Sequence, residues 1–225
     1  GLNSLIDQHK FINEAGNQNV NYLPKAGCPG PETIEVGADV LLLIVDSEWF
    51  FRRDNEQVAA ELNCENQTLE EMALAIEEIT ESHSDKHIVY LAHHPFISRG
   101  KHAGFFTWKE HFFPLTDAEE ALWLPIPVAG SFYPVLRNMG INRQDLSSAS
   151  YDDYEDFVLD FLRDHPSVIV AGAHDHALQY FTQDGIHHII SGSGSRTSIA
   201  RKGGVADFVY SGKGFAVIEF YNDGS

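Results

Sequence analysis

Three histidines of this chain stand just beyond apolar runs. The stretch "HIVYLA" leads into His93, and "SVIVAGA" leads into His174 and, one aspartate later, His176. An imidazole at the mouth of a buried strand loses hydration unless something else engages it, and a bound cation is one such thing. In open α/β sheets ligands gather at the carboxyl ends of strands, so groups far apart in sequence can meet there. The two rings of a His-x-His pair share one face of a regular strand and can also turn together where the strand ends. His93, His174 and His176 are therefore the candidate metal ligands.

The other histidines carry blander expectations. His94 adjoins His93 and by alternation points to the opposite side, so at most one of the two serves a shared site. His87, His111, His165, His187 and His188 read as hydrogen-bonded structural residues. Asp175 either orients an imidazole or faces water. Asp46, at the end of "LLLIVD", reads as structural.

The elements that must hold these residues follow from periodicity. Leu2, Leu5, Ile6, Phe11 and Ile12 fall on helical spacing, with Gly16 as a stop. The stretch "VNYLPKAGCPGPETIEV" reads as strand, break and strand, and residues 40–45 form a continuous apolar run of the kind buried on both faces of a sheet. Thr68 and Glu71 form a capping box, and Leu69, Met72, Ala73, Ile76 and Ile79 line one helical face. A second helix, capped by Ser150, turns Tyr154, Phe157, Val158, Phe161 and Leu162 inward and ends before Pro166. "SVIVAGAHDH", "GIHHIISGSGS" and "GFAVIEFY" read as strands. Residues 105–144 are aromatic and punctuated by proline, with one short helix expected near 117–122. An elaboration of that length often covers a site, and its aromatic residues either line a pocket or belong to the core. Helix alternating with strand, each strand ending in polar groups, predicts a layered α/β domain.

At 225 residues and 43% hydrophobic, the chain is long enough for a single domain with a packed core. Its formal charge of -18 repels nucleic acid and anionic membrane over most of the surface. An anionic substrate needs a local positive centre to overcome that field. No apolar run approaches the length of a membrane span, and the first residues lack the pattern of a signal peptide. Cys28 and Cys64 sit in loop-like settings, where a stapling disulfide of an exported protein is expected; two free thiols are the alternative.

The motifs "LAHHPFISRGKHAG", "GAHDHALQYF" and "ISGSGS" resemble those of the calcineurin-like metallophosphoesterases, most closely the purple acid phosphatase branch. "GCPGP", "VDSEWF" and "RNMGINRQDL" also resemble segments of bacterial members. Ala92 and Ala173 stand where the family has glycine before the ligand. The resemblance implies an α/β/β/α sandwich of two mixed sheets between helices. It also implies a binuclear site for Fe, Zn or Mn type ions, with His93 and His174 on one ion and His176 on the other. His102, nine positions after His93, is then the catalytic histidine that stabilises phosphoryl oxygens or protonates the leaving group. The implied reaction is hydrolysis of a phosphomonoester or phosphodiester by a metal-bound hydroxide.

The early motifs that bring the family's aspartate and asparagine ligands are not found. The expectation is a domain, residues 1–225, incomplete on its N-terminal side and inactive alone. Self-association, or association with the missing portion, is expected to cover the exposed sheet edge and apolar faces. With the candidate disulfide, the resemblance implies an extracytoplasmic location, periplasmic or secreted. The alternative is a non-catalytic interaction module on the same scaffold. A mononuclear hydrolase is disfavoured, because no glutamate stands near "HDH" in a general-base pattern.

Overall fold

The computed structural model describes residues 2–14, 20, 22–25, 27–117, 121–126, 129–165 and 167–221. The expected stops at Gly16 and Pro166, and half of the short helix expected near 117–122, lie outside them. In chain order the helices are α1 (Leu2–Glu14), α2 (Glu48–Phe51), α3 (Asn55–Glu61), α4 (Leu69–Ser82), α5 (Trp108–Phe112), α6 (Phe132–Asn138) and α7 (Ala149–Leu162). The strands are β1 (Glu32–Val36), β2 (Val40–Ile44), β3 (His87–Leu91), β4 (Val168–Gly172), β5 (Leu178–Gln183), β6 (Ile186–Ser191) and β7 (Phe208–Tyr210).

Among the described residues these strands form one mixed sheet in the order β1-β2-β3-β4-β6-β5-β7. The central strands β2, β3, β4 and β6 are parallel, and β1, β5 and β7 add antiparallel edges. The predicted α/β class is thus observed, with a single sheet where two were expected. Apolar runs such as "VLLLI" and "HIVYL" suit central parallel strands. Strand β5 was not foreseen. It joins β6 through Asp184 and Gly185, both at positive φ (51° and 82°), the backbone that tight right-twisted hairpins require.

One face of the sheet carries the main core. Leu43, Ile88, Tyr90, Val168 and Val170 pack there against Trp49 and Phe51 of α2, Met72 and Ile76 of α4, and Tyr151, Tyr154, Val158 and Leu162 of α7. The Thr68–Glu71 capping box of α4 is present, although Leu69 is exposed. Helix α7 starts after Ser148 rather than Ser150; the Ser148 hydroxyl donates to the Arg143 carbonyl, and Ser150 accepts from Arg143 Nε.

The opposite face is half-buried, with Leu42, Ile44, Leu91, Ile169, Ala171 and Ile189 turned to it. The segment "GFAVIEFY" crosses this face instead of forming a strand. Both sides of β6 are already paired, and the segment lies over the sheet rather than beside it. Its contacts include a hydrogen bond donated by Ala216 N to Ser191 Oγ, one accepted by the Gly214 carbonyl from Ser193 Oγ, and the Phe220 ring against His87 at 5.1 Å. Cys28 and Cys64 form a disulfide across 36 residues, tying the segment before β1 to the end of α3. No helix among the described residues is long and apolar enough to cross a membrane.

Candidate metal centre

Parallel pairing sets the position of the histidines. Leu91 of β3 lies opposite Ala171 of β4, and beyond the strand ends Ala173 N donates to the His93 carbonyl at 2.9 Å. The rings of His93 and His174 therefore meet, with centroids 5.2 Å apart and His174 Nδ1 3.2 Å from His93 Nε2. His174 adopts a left-handed backbone at φ 52°, which breaks the strand course and turns its ring inward.

His94 does not point away. Its ring centroid is 4.4 Å from that of His174 and 4.9 Å from that of His93, because the chain bends after Leu91 and strand alternation no longer applies. One nitrogen from each of His93, His94 and His174 lies within 4.8 Å of the others. His176 stands outside this group. The bend at residues 174–177 turns it toward Lys101 and Arg196, where it lines a separate cavity of about 730 Å³. Among the described residues the structure thus joins His93 and His174, adds His94, and leaves His176 at the margin.

The three imidazoles are held neutral. Burial, and then the neighbouring His174 and His93, push His94 down to about 2. Burial, with His102 and His93 adding, pushes His174 down to about 3. His93 keeps an exposed face, yet the protein around it also lowers its pKa, with His102 and His176 contributing. Neutral imidazole is the metal-binding form. His174 Nε2 lies 2.9 Å from the Gln144 carbonyl, which can only accept, so Nε2 carries the proton and Nδ1 offers a lone pair. His94 Nε2 is buried without a hydrogen-bond partner. A lone pair facing another ring nitrogen, and an orphaned buried nitrogen beside it, fit a cation of the Zn, Fe or Mn type.

His102 stacks against His174, with ring centroids 3.7 Å apart. Its Nδ1 lies 3.0 Å from Oδ1 of Asp145, and Arg137 Nε donates to Oδ2 of the same carboxylate at 2.7 Å. Asp145 is 2% exposed. Burial alone raises its pKa, but the hydrogen bonds from His102 and Arg137 outweigh that and hold it below the usual range. His102 Nδ1 is engaged by both members of the Asp145–Arg137 pair, with Arg137 Nη2 3.1 Å from it, so the pair fixes the orientation of the ring.

Asp175 is 1% exposed and faces no solvent. It accepts from the Ser98 hydroxyl and from His102 N at 3.4 Å, tying the loop after β3 to the loop after β4. Asp46 holds the start of α2: Oδ1 accepts from Glu48 N, and Oδ2 pairs with Arg52.

Sequence reasoning missed His94, Glu48, Asp145 and Arg137. Glu48 Oε2 lies 3.9 Å from His94 Nε2 and accepts from Gln144 Nε2 at 2.7 Å. Glu48 falls within "VDSEWF", and Arg137 and Asp145 within "RNMGINRQDL", stretches whose resemblance pointed to no chemistry.

No protein-family model and no curated protein matches the sequence. Among solved structures, the chain is similar to GAP50, described as the anchor in the inner membrane complex of Plasmodium. That match has 15% identity and a TM-score of 0.40, and covers 82% of this chain and 43% of that one. It is also similar to PhoD, at 12% identity and a TM-score of 0.42, over 80% of this chain and 32% of that one. The chain spans less than half the length of either protein.

Proposed function

We propose that this chain carries the histidine ligands and the proton-transfer histidine of an extracytoplasmic, metal-dependent phosphoesterase. The observation that supports it most is the meeting of neutral His93, His94 and His174 at the carboxyl ends of parallel strands, with His102 packed on His174. The motif resemblance and the Cys28–Cys64 disulfide support the family and the compartment.

In this reading His93 and His174 hold one ion, His94 Nε2 faces it, and His176 serves a second. Bound ions would supply Lewis acidity toward phosphoryl oxygens and lower the pKa of water. His102 Nε2 donates a proton to the departing oxygen, and Asp145 stabilises the imidazolium that precedes this step. The oxygen ligands that the resemblance implies have no matching motif among these residues. The chain by itself is accordingly expected to bind one equivalent of metal and to hydrolyse an aryl phosphate poorly.

Elemental analysis and p-nitrophenyl phosphate turnover test this, comparing the chain alone with any longer polypeptide that its gene encodes. Metal bound by the wild type but lost in His174→Ala, with turnover confined to the longer polypeptide, supports the reading; a chain that binds no Zn, Fe or Mn overturns it. The place of His176 outside the trio favours a second reading, a non-catalytic module on the same scaffold. Metal binding without turnover in the longer polypeptide would establish that one.

A further inference from the structure

A smaller cavity, of about 160 Å³, lies between α7, the β5–β6 hairpin and the loop after β3, and shares no residue with the histidine cluster. Periodicity places its groups. Glu155 and Leu159 stand four apart on one stripe of α7, and Arg163 continues that stripe just past the helix end. Ile186 and His188 alternate onto the core face of β6, and Phe96 and Ile97 close the space from the loop. Gln183 and Asp184 of the hairpin line it as well, and both are exposed.

Two polar side chains of this wall are left unengaged by the described residues. His188 is 6% exposed, and its Nδ1 is buried without a hydrogen-bond partner. Among the described residues no hydrogen bond or ion pair reaches the Glu155 carboxylate. Burial pushes Glu155 up to about 7, with Asp156 and Asp152 adding and Arg163 opposing least. A carboxyl group whose charge is disfavoured in this way is stabilised as an anion by an incoming cation. A buried imidazole without a partner gains a hydrogen bond that it otherwise forgoes. Phe96, Ile97, Leu159 and Ile186 make the rest of the enclosed wall apolar, and a cavity of about 150 Å³ holds a benzene ring.

We propose that this cavity binds a small organic cation with N–H donors on a single ring, an aryl amidine or arylmethylamine, its charged end on Glu155 and His188 and its ring against Phe96, Leu159 and Ile186. An amidinium presents two N–H groups in parallel to a carboxylate. An anion meets Glu155 and Asp184, and a neutral ring leaves the carboxylate as it was. The chain's charge of -18 raises the concentration of cations around it. The proposal does not depend on the phosphoesterase reading.

Isothermal titration calorimetry of the full chain with benzamidine tests this, with benzamide and benzoate as neutral and anionic controls. At pH 8 benzamidine is expected to bind about tenfold tighter than either control. Glu155→Gln should weaken it about tenfold and His188→Leu about fivefold, with thermal unfolding midpoints no lower than that of the wild type. His174→Ala should leave it unchanged. Wild-type affinity should fall about tenfold from pH 8 to pH 6 as Glu155 takes up its proton. The groups around that carboxylate are Tyr151, Asp152, Tyr154, Asp156 and Arg163 along its own stretch, and Asp184 and His188 across the cavity. Equal affinities for the three compounds, tighter binding of benzoate, or full affinity in Glu155→Gln overturns the proposal. Loss of binding in His174→Ala also overturns it, by putting the ligand at the histidine cluster. An affinity of the wild type that does not change with pH overturns it whatever the stability of the variants.

Discussion

His102 and Asp145 are joined across 43 residues by a contact of 3.0 Å between Nδ1 and Oδ1. The backbone repeats the tie, because Leu146 N donates to the His102 carbonyl at 2.9 Å. Asp145→Asn removes the acceptor charge and leaves the Arg137 guanidinium buried against a neutral amide. Breaking a buried pair in this way costs about 3–5 kcal/mol. The Asp145 pKa is lowered on folding, so its contribution is complete above the ordinary carboxylate value and is lost as pH falls through the lowered one. Urea unfolding at pH 7 and at pH 3 should show a large difference between variant and wild type that shrinks in acid. In an active polypeptide the same change should reduce turnover about 10–100-fold while leaving bound metal in place.

His188 supplies a pH dependence away from the histidine cluster. It lies on the core face of β6, and its Nδ1 is buried without a partner. Burial, with His187 adding and Asp184 opposing, brings it down to about 4 from 6.5. Between those values the unfolded chain holds the proton more often than the folded one. Stability is therefore full above pH 6.5 and declines toward pH 4, by about 1.4 kcal/mol per pH unit for this one group. His188→Leu should flatten that part of the profile, and its gain over wild type should be larger at pH 5 than at pH 7. A variant profile parallel to the wild type would refute the assignment.

Gly100 sits against the carboxylate of Asp175, and a methyl group there would overlap Cγ and both oxygens. Gly100→Ala must displace Asp175 or the loop that carries His102. An overpacking cost of about 1–3 kcal/mol is expected. The stability loss should be accompanied by weaker metal binding, measured by competition with a chromophoric chelator. Loss of stability with no change in metal affinity would separate the Asp175 network from the imidazole cluster.

Opening the Cys28–Cys64 bond releases a loop of 36 residues from its constraint. On the chain-entropy account a loop of that size is worth about 3–4 kcal/mol. Cys64→Ser, or reduction by dithiothreitol, should lower the urea midpoint and, by letting the unfolded chain expand, steepen the slope of the transition. An unchanged midpoint would show that the segment before β1 contributes nothing to the cooperative unit.

Legibility in the sequence followed the range over which each signal acts. The apolar runs of β2, β3 and β4 and the capped face of α4 are local patterns, and the structure contains them. The meeting of His93 with His174 followed from a general property of parallel sheets. His94 was assigned to the wrong side because the two-residue alternation applies only as far as Leu91. "GFAVIEFY" carries strand periodicity, but periodicity does not supply an edge to pair with. Arg137 and Asp145 belong to a stretch without regular spacing, where only the fold brings them to His102. Trp108 and Trp123 could have been core or lining by composition alone, and the structure places both, largely exposed, in the wall of the cavity beside His176.

The left-handed backbone of His174 bears on how the cluster would meet an ion. A side-chain-bearing residue enters that conformation at some energetic expense, and here the surrounding hydrogen bonds hold it there. The rings are thus placed by the backbone that continues from the sheet, and an ion bound there would meet a preformed arrangement. Selection among cations then falls to size and preferred coordination angles, with little room for the polypeptide to adjust around a poor fit.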